Sequence, residues 1–153
     1  IQIYPALSRA RTLSARLAAL QRSGMEERLL DADSSAVAQT LDDLAGQVAQ
    51  TRTDLAQNSE IYYFHNSGKT SSLAAALPYA LHLADLGRTA SRSDVQQTAS
   101  TLRATLDDLA EVLNDDFLEV DGTTSDVFRA FGRDHGHAPL SGPQSKNSPG
   151  SPS

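Results

Sequence analysis

Residues 94–119 read DVQQTASTLRATLDDLAEVLNDDFLE, and their pattern sets the architecture. Val95, Ala99, Leu102, Leu106, Leu109, Leu113 and Phe117 recur in alternating steps of four and three until the last. That spacing gathers them on one face of an α-helix. So regular a leucine stripe predicts a helix over 94–119 lying along a second helix. Val37, Leu41, Leu44, Val48 and Leu55, with Thr51 filling the gap, form a matching stripe and predict a helix over 35–57. Gly46 weakens that helix by about 1 kcal/mol relative to Ala. The seam, carried by Leu102, Leu106, Leu109, Leu113, Leu41, Leu44 and Val48, is open to pairing within one chain or between chains. TLDDLA occurs at 40–45 and again at 105–110, which aligns Val37 with Leu102 and Val48 with Leu113. Duplication of a helical hairpin and convergence of two leucine-striped helices both account for it.

Working outward, residues 5–23 read as a helix opened by Pro5 in its first turn and stopped at Gly24. Leu7, Leu13, Leu17 and Leu20, with Ala10 between, form its apolar stripe. MEERLLD, at 25–31, predicts a short helical turn, and Asp33, Ser34 and Ser35 offer caps for the helix that follows. Residues 58–70, NSEIYYFHNSGKT, break the pattern. They read as a linker, or as the last turn of the preceding helix, with the aromatic cluster of Tyr62, Tyr63 and Phe64 beside Ile61 plugging the core. A third main helix over 71–86 points Leu73, Leu77, Leu81 and Ala84 inward, is capped by Ser71 or Ser72 and ended by Gly87, and is kinked at Pro78. TSDVFRAFG, at 124–132, predicts a short fifth helix. From Gly136 onward composition predicts disorder, since SGPQSKNSPGSPS has no large apolar residue with which to offset chain entropy. The expected fold is all-α: four main helices in a bundle, a short fifth helix, and a Pro/Ser/Gly-rich tail over 136–153.

The chain of 153 residues is 39 % hydrophobic but only 5 % aromatic and has no Trp, so leucine and alanine must fill its core. No run approaches the ~18 apolar residues of a membrane span. Cysteine is absent, which removes disulfides, thiolate metal sites and cysteine nucleophiles together. The net charge of −6 argues against a nucleic-acid partner. That charge is unevenly spread. Arg9, Arg11, Arg16 and Arg22 give residues 1–23 a charge of +4 with no acid, while residues 24–153 carry nine basic and 19 acidic residues. Residue 1 is Ile and the only Met is Met25, so the chain reads as a fragment of a longer polypeptide. The four arginines behind the apolar stub of Ile1, Ile3 and Tyr4 have two readings. Basic residues flank membrane spans on the cytoplasmic side, and Tyr favours the lipid–water boundary; a solvated basic helix face needs neither.

No motif for catalysis survives inspection. SGKTSS, at 67–72, has the tail of a phosphate loop, but the position that needs the first Gly is Tyr63. Asp31, Asp33, Ser35 and Asp42 mimic part of a calcium loop, but Ala36 stands where that loop must turn on Gly. His135 and His137 lack further ligands and read as incidental loop residues; His65 is isolated, and His82 borders the core. The pairs Asp42–Asp43 and Asp107–Asp108 lie between buried leucines, so they project to solvent or to salt bridges with Arg52 and Arg103. No cofactor, metal site or enzyme is expected.

IQIYPALSRARTLSARL resembles the segment that leaves the inner pore helix in a family of bacterial two-transmembrane-type potassium channels. The places of that family's aliphatic, Tyr, Ser and Arg residues look like Ile3, Tyr4, Leu7, Ser8 and Arg9. LAQNSEIYYFHNSGKTSSLAAALPYALHLAD resembles the family's cytoplasmic tail: a Leu-rich helix, an aliphatic–aromatic cluster at 61–64, a polar turn, then a Leu/Ala helix from Leu73 to Leu86. The family often places a Trp at the start of that helix, and this chain has none.

The resemblance implies a non-catalytic regulatory or assembly domain on the cytoplasmic face of the cell membrane. It would follow the pore of a potassium-type channel and couple helix packing to the gate. Residues 1–23 would be a basic membrane-proximal helix, 24–135 the bundle domain and 136–153 the tail. The partners would be the pore region of the same polypeptide, further copies of the chain in a homo-oligomer, and anionic lipid headgroups near Arg9, Arg11, Arg16 and Arg22. The alternative from the residues alone is a soluble helical protein-interaction or sensor domain that binds a partner helix in a groove.

Overall fold

A computed structural model of the chain describes residues 3–31, 35–63 and 69–135. Among these residues every regular element is helical: α1 (Ile3–Arg22), α2 (Met25–Asp31), α3 (Ala36–Gln57), α4 (Glu60–Tyr63), α5 (Lys69–Gly87), α6 (Ser93–Leu113) and α7 (Thr124–Asp134). A five-residue π-helical turn, Asn114–Leu118, follows α6 directly. The all-α bundle expected from the leucine stripes is the observed architecture.

Four long helices form a ring. α3 lies against α6 along the most extensive helix–helix contact in the molecule, α6 against α5, α5 against α1, and α1 against α3 along the thinnest of the four. Leu41 and Ala99, near the N-terminal ends of α3 and α6, both approach Gly87 at the end of α5. At the opposite pole Leu55, Ala6, Leu73 and Tyr62 line one small space, and Phe117 stacks on Tyr62. So α3 and α6 run one way, and α1 and α5 the other. The two copies of TLDDLA thus lie on helices that share a direction and pack together.

The seam residues Leu41, Leu44, Val48, Leu102, Leu106, Leu109 and Leu113 are all fully buried. Each buried leucine contributes roughly 1.5–3 kcal/mol. The seam is satisfied inside one chain. The apolar face of α1, with Ala6, Ala10, Leu13 and Leu17, belongs to the same core cluster.

Several local expectations are corrected. α5 starts at Lys69, so Ser71 and Ser72 lie inside it rather than capping it. Pro78, where the kink is expected, lies within that helix and does not end it. Leu77, Tyr79, Ala80 and Leu83 around the proline are buried, and tertiary packing offsets the lost backbone bond. The helix expected over 94–119 gives way to the π turn after Leu113, for reasons that lie in the Tyr62 centre described below. Residues 60–63 are neither linker nor the end of α3 but a separate helical turn, set off by Asn58, whose N–H bonds the Asp54 carbonyl. Residues 25–31 make a full short helix, and α7 extends to Asp134. Gly24 lies just past the end of α1 as expected, with φ of +79°. The caps at Asp33 and Ser34, the turn at Gly68, His65 and the tail over 136–153 lie outside the described residues.

Two glycines on the bundle behave oppositely. A Cβ at Gly46 meets nothing within 4 Å, whereas one at Gly87 falls 2.8 Å from the Ala99 Cβ. Gly46→Ala is therefore expected to raise stability by about 1 kcal/mol through helix propensity. Gly87→Ala is expected to lower it, because α5 and α6 must separate. Urea titrations of the two variants check both signs.

The starts of α6 and α7 carry a pH dependence. The Asp94 carboxyl is held below its ordinary value chiefly by hydrogen bonds from the Arg92 side chain. The Asp126 carboxyl is held down chiefly by the Thr123 backbone N–H, within a capping box. Both groups ionise more readily folded than unfolded. Their stabilisation is complete above the unfolded value of about 4 and vanishes as pH falls through the lower folded one. Melting temperatures of the wild type and Asp126→Asn should differ at neutral pH and converge at about pH 2.

Candidate functional site

Two polar centres sit at the edges of the leucine core; the first ties α1 to α3, and the second ties α4 to the π turn and the end of α7. The first lies between α1 and α3. Arg9 projects from the flank of the α1 stripe and donates from Nε and Nη2 to the two carboxylate oxygens of Asp54, at 2.8 Å each. Gln50 donates to the same carboxylate at 3.0 Å. Asp54 is 5 % exposed although it is a carboxylate. A buried carboxylate persists only when paired and hydrogen-bonded, and here three bonds meet that condition. The Arg9 guanidinium is held above its ordinary value chiefly by those bonds to Asp54.

Two turns along α1, Arg16 donates to Gln47 at 3.4 Å and lies 3.6 Å from an Asp43 oxygen. That second pair is largely solvated and contributes little. Between the two pairs a groove of about 590 Å³ opens along the thin α1–α3 contact, walled by Ser8 and Thr12 on one side and Gly46 and Gln50 on the other.

The second centre is Tyr62. Its ring stacks on Phe117, with centroids 4.2 Å apart and planes within 6°, and packs against Phe131 and His135. Its hydroxyl donates to the Asp134 carboxylate. Burial first, and then that bond, push the Tyr62 hydroxyl far above the usual tyrosine range. His135 is 8 % exposed. Its Nε2 lies 2.9 Å from the Tyr62 carbonyl and its Nδ1 3.2 Å from that of Phe131. The expectation of an incidental loop histidine is therefore corrected, since His135 closes the C-terminal end of α7 onto α4.

The same centre explains the π turn. A continued α-helix would carry Phe117 along the seam; the wider turn swings it onto Tyr62. Asn114 then fastens the exit with two bonds, donating to the Val120 carbonyl at 2.8 Å and accepting from the Val120 N–H at 2.7 Å.

The four sequence-singled arginines separate into two kinds. Arg9 and Arg16 turn inward onto α3 acids. Arg11 and Arg22 are exposed and form no ion pair among the described residues. Of the aromatic cluster, Tyr62 is buried and Tyr63 is 61 % exposed, while Phe64 lies outside the described residues. Asp107 pairs with Arg103 as expected, but Asp43 pairs with Arg16 rather than with Arg52. His82, expected to border the core, is exposed instead, with Nε2 3.5 Å from Glu26, which also accepts from the buried Tyr79 hydroxyl.

Asp54 is not singled out by the sequence; its only signal there is an acid immediately before the stripe residue Leu55. Phe117 reads there only as the end of the leucine stripe, and Asp134 only as a neighbour of His135 and His137. No group of three or more His, Asp or Glu residues among the described ones is arranged to hold a metal. No described helix is long and apolar enough to cross a membrane. No protein-family model, curated protein or solved structure matches the chain.

The Arg9–Asp54 pair is asymmetric, because Arg9 is half-exposed and Asp54 is buried. Losing the arginine strands a buried carboxylate, while losing the carboxylate leaves an arginine free to reach water. Arg9→Met is therefore expected to lower the urea midpoint more than Asp54→Asn does. Equal midpoints would show that the pair is solvated.

Proposed function

We propose that this chain is a non-catalytic regulatory and assembly domain. It would lie on the cytoplasmic side of a potassium-type channel, following the pore, with α1 as the link to the gate. The observation that carries the reading is the way α1 is held. Its apolar face is buried in the bundle core, and its basic flank is bonded to α3 through Asp54. A helix held this way moves with the bundle, so a change in packing anywhere around the ring displaces it. A differential of a few kcal/mol between two packings suffices to shift a two-state gate. The outward Tyr4, which is 79 % exposed, and the free charges of Arg11 and Arg22 suit a helix leaving an anionic membrane surface.

The α1–α3 groove favours a second reading, a soluble helical interaction or sensor domain that takes a partner helix there.

One experiment separates the two. The natural polypeptide that contains this chain is reconstituted into liposomes and assayed for potassium flux. Flux is expected, and Asp54→Asn, which loosens α1, is expected to change the open fraction but not the ion selectivity. A natural polypeptide with no pair of spans and no filter ahead of Ile1, or one with no flux, overturns the channel reading in favour of the soluble one.

A further inference from the structure

The leucine seam is used up inside the chain, so any self-association must use another surface. Two outward helix faces carry unmatched charge of opposite sign. On α1, Arg11 and Arg22 stand three turns apart on one face, about 16 Å along the axis, with Ala15 between them. On the outer face of α6, Ala104, Asp108 and Glu111 follow one another at helical spacing, all exposed. Neither these two arginines nor these two acids form an ion pair among the described residues. By contrast, Arg9, Arg16, Arg103 and Asp107, on the flanks of the same helices, are all paired within the chain.

α1 and α6 occupy opposite corners of the ring, each separated from the other by α3 on one side and α5 on the other. Their outer faces point away from each other, so one chain cannot bring these charges together. We propose that the outer face of α1 docks on the outer face of α6 of a second copy, head to tail. The contact is heterologous, because each copy offers two different patches on opposite sides. Repetition closes into a ring where the rotation allows and otherwise extends. Ala15 lies between the two arginines and Ala104 one turn before Asp108, so each face offers a small residue beside its charges where the two backbones can approach. The basic N-terminal helix and the acidic remainder of the chain thus become complementary between copies rather than within one. The proposal does not rest on the channel reading, although a ring of copies would serve it.

The chain has no cysteine, so single-cysteine variants report one position each. Ala15→Cys and Ala104→Cys chains, distinguishable by a mass tag, are mixed under mild oxidation at low salt. The mixed disulfide is expected to exceed either homodimer by about tenfold, and to fall as salt screens the charges. Salt gives a sign as well as a size. Each copy carries −6, so association without charge matching would strengthen as salt relieves the mutual repulsion.

Sedimentation velocity supplies the second measurement. Arg11→Glu with Arg22→Glu is expected to abolish self-association, and admixture of Asp108→Lys, Glu111→Lys chains to restore it. The proposal is overturned by a wild type that stays monomeric at its highest soluble concentration. It is equally overturned by homodimer cross-links as abundant as mixed ones, or by charge reversal that leaves association unchanged.

Discussion

The parallel leucine seam between α3 and α6 is the constraint from which the rest follows. Fully buried side chains from both helices close it, and removing any one would open a cavity as well as forfeit its transfer energy. Once α3 and α6 run side by side in the same direction, the segments between them must return along the bundle. α5 does so on one side, and α1 enters antiparallel on the other. The close approach at Gly87 belongs to the same constraint, because α5 ends so near α6 that a Cβ there would fall 2.8 Å from the Ala99 Cβ.

The seam leaves both poles of the bundle to be finished by other means. At the pole where α1 begins, the core ends in aromatic rather than aliphatic packing, and Tyr62 is its hub. It brings together the one-turn helix α4, the π turn and the end of α7. At the other pole Tyr79 and His82 reach the carboxylate of Glu26, which fastens the short helix α2 over α5. Polar groups thus appear where helices end and change direction, as expected where backbone and side-chain donors would otherwise be buried without partners. No described buried side-chain polar atom lacks a hydrogen-bond partner.

The basic character of α1 takes on a different meaning in this setting. Half of its arginines neutralise acids of α3, one of them a buried carboxylate, so they act as internal fasteners. The other half face outward. A run of like charge in sequence is therefore two populations in space. Helical rotation of 100° per residue distributes consecutive arginines around the axis, and only those turned to solvent remain available to a membrane or another copy.

The long helices and most of the leucines they bury were legible in the sequence. Periodicity is a local property: steps of three and four place side chains on one face whatever the surroundings. Proline at the start of α1 and glycine after it act through their own backbone preferences, and so could be read without partners. What only the tertiary structure decided depends on residues far apart in the chain. Asp54 meets Arg9 across 45 positions, and Tyr62 meets Asp134 and His135 across more than 70. Pro78 in an unbroken helix, the π turn that delivers Phe117, and the choice between a seam within one chain and between two belong to the same class. In each, packing energy summed over many contacts outweighs a local preference of a few kcal/mol, and no pattern along the chain records that sum.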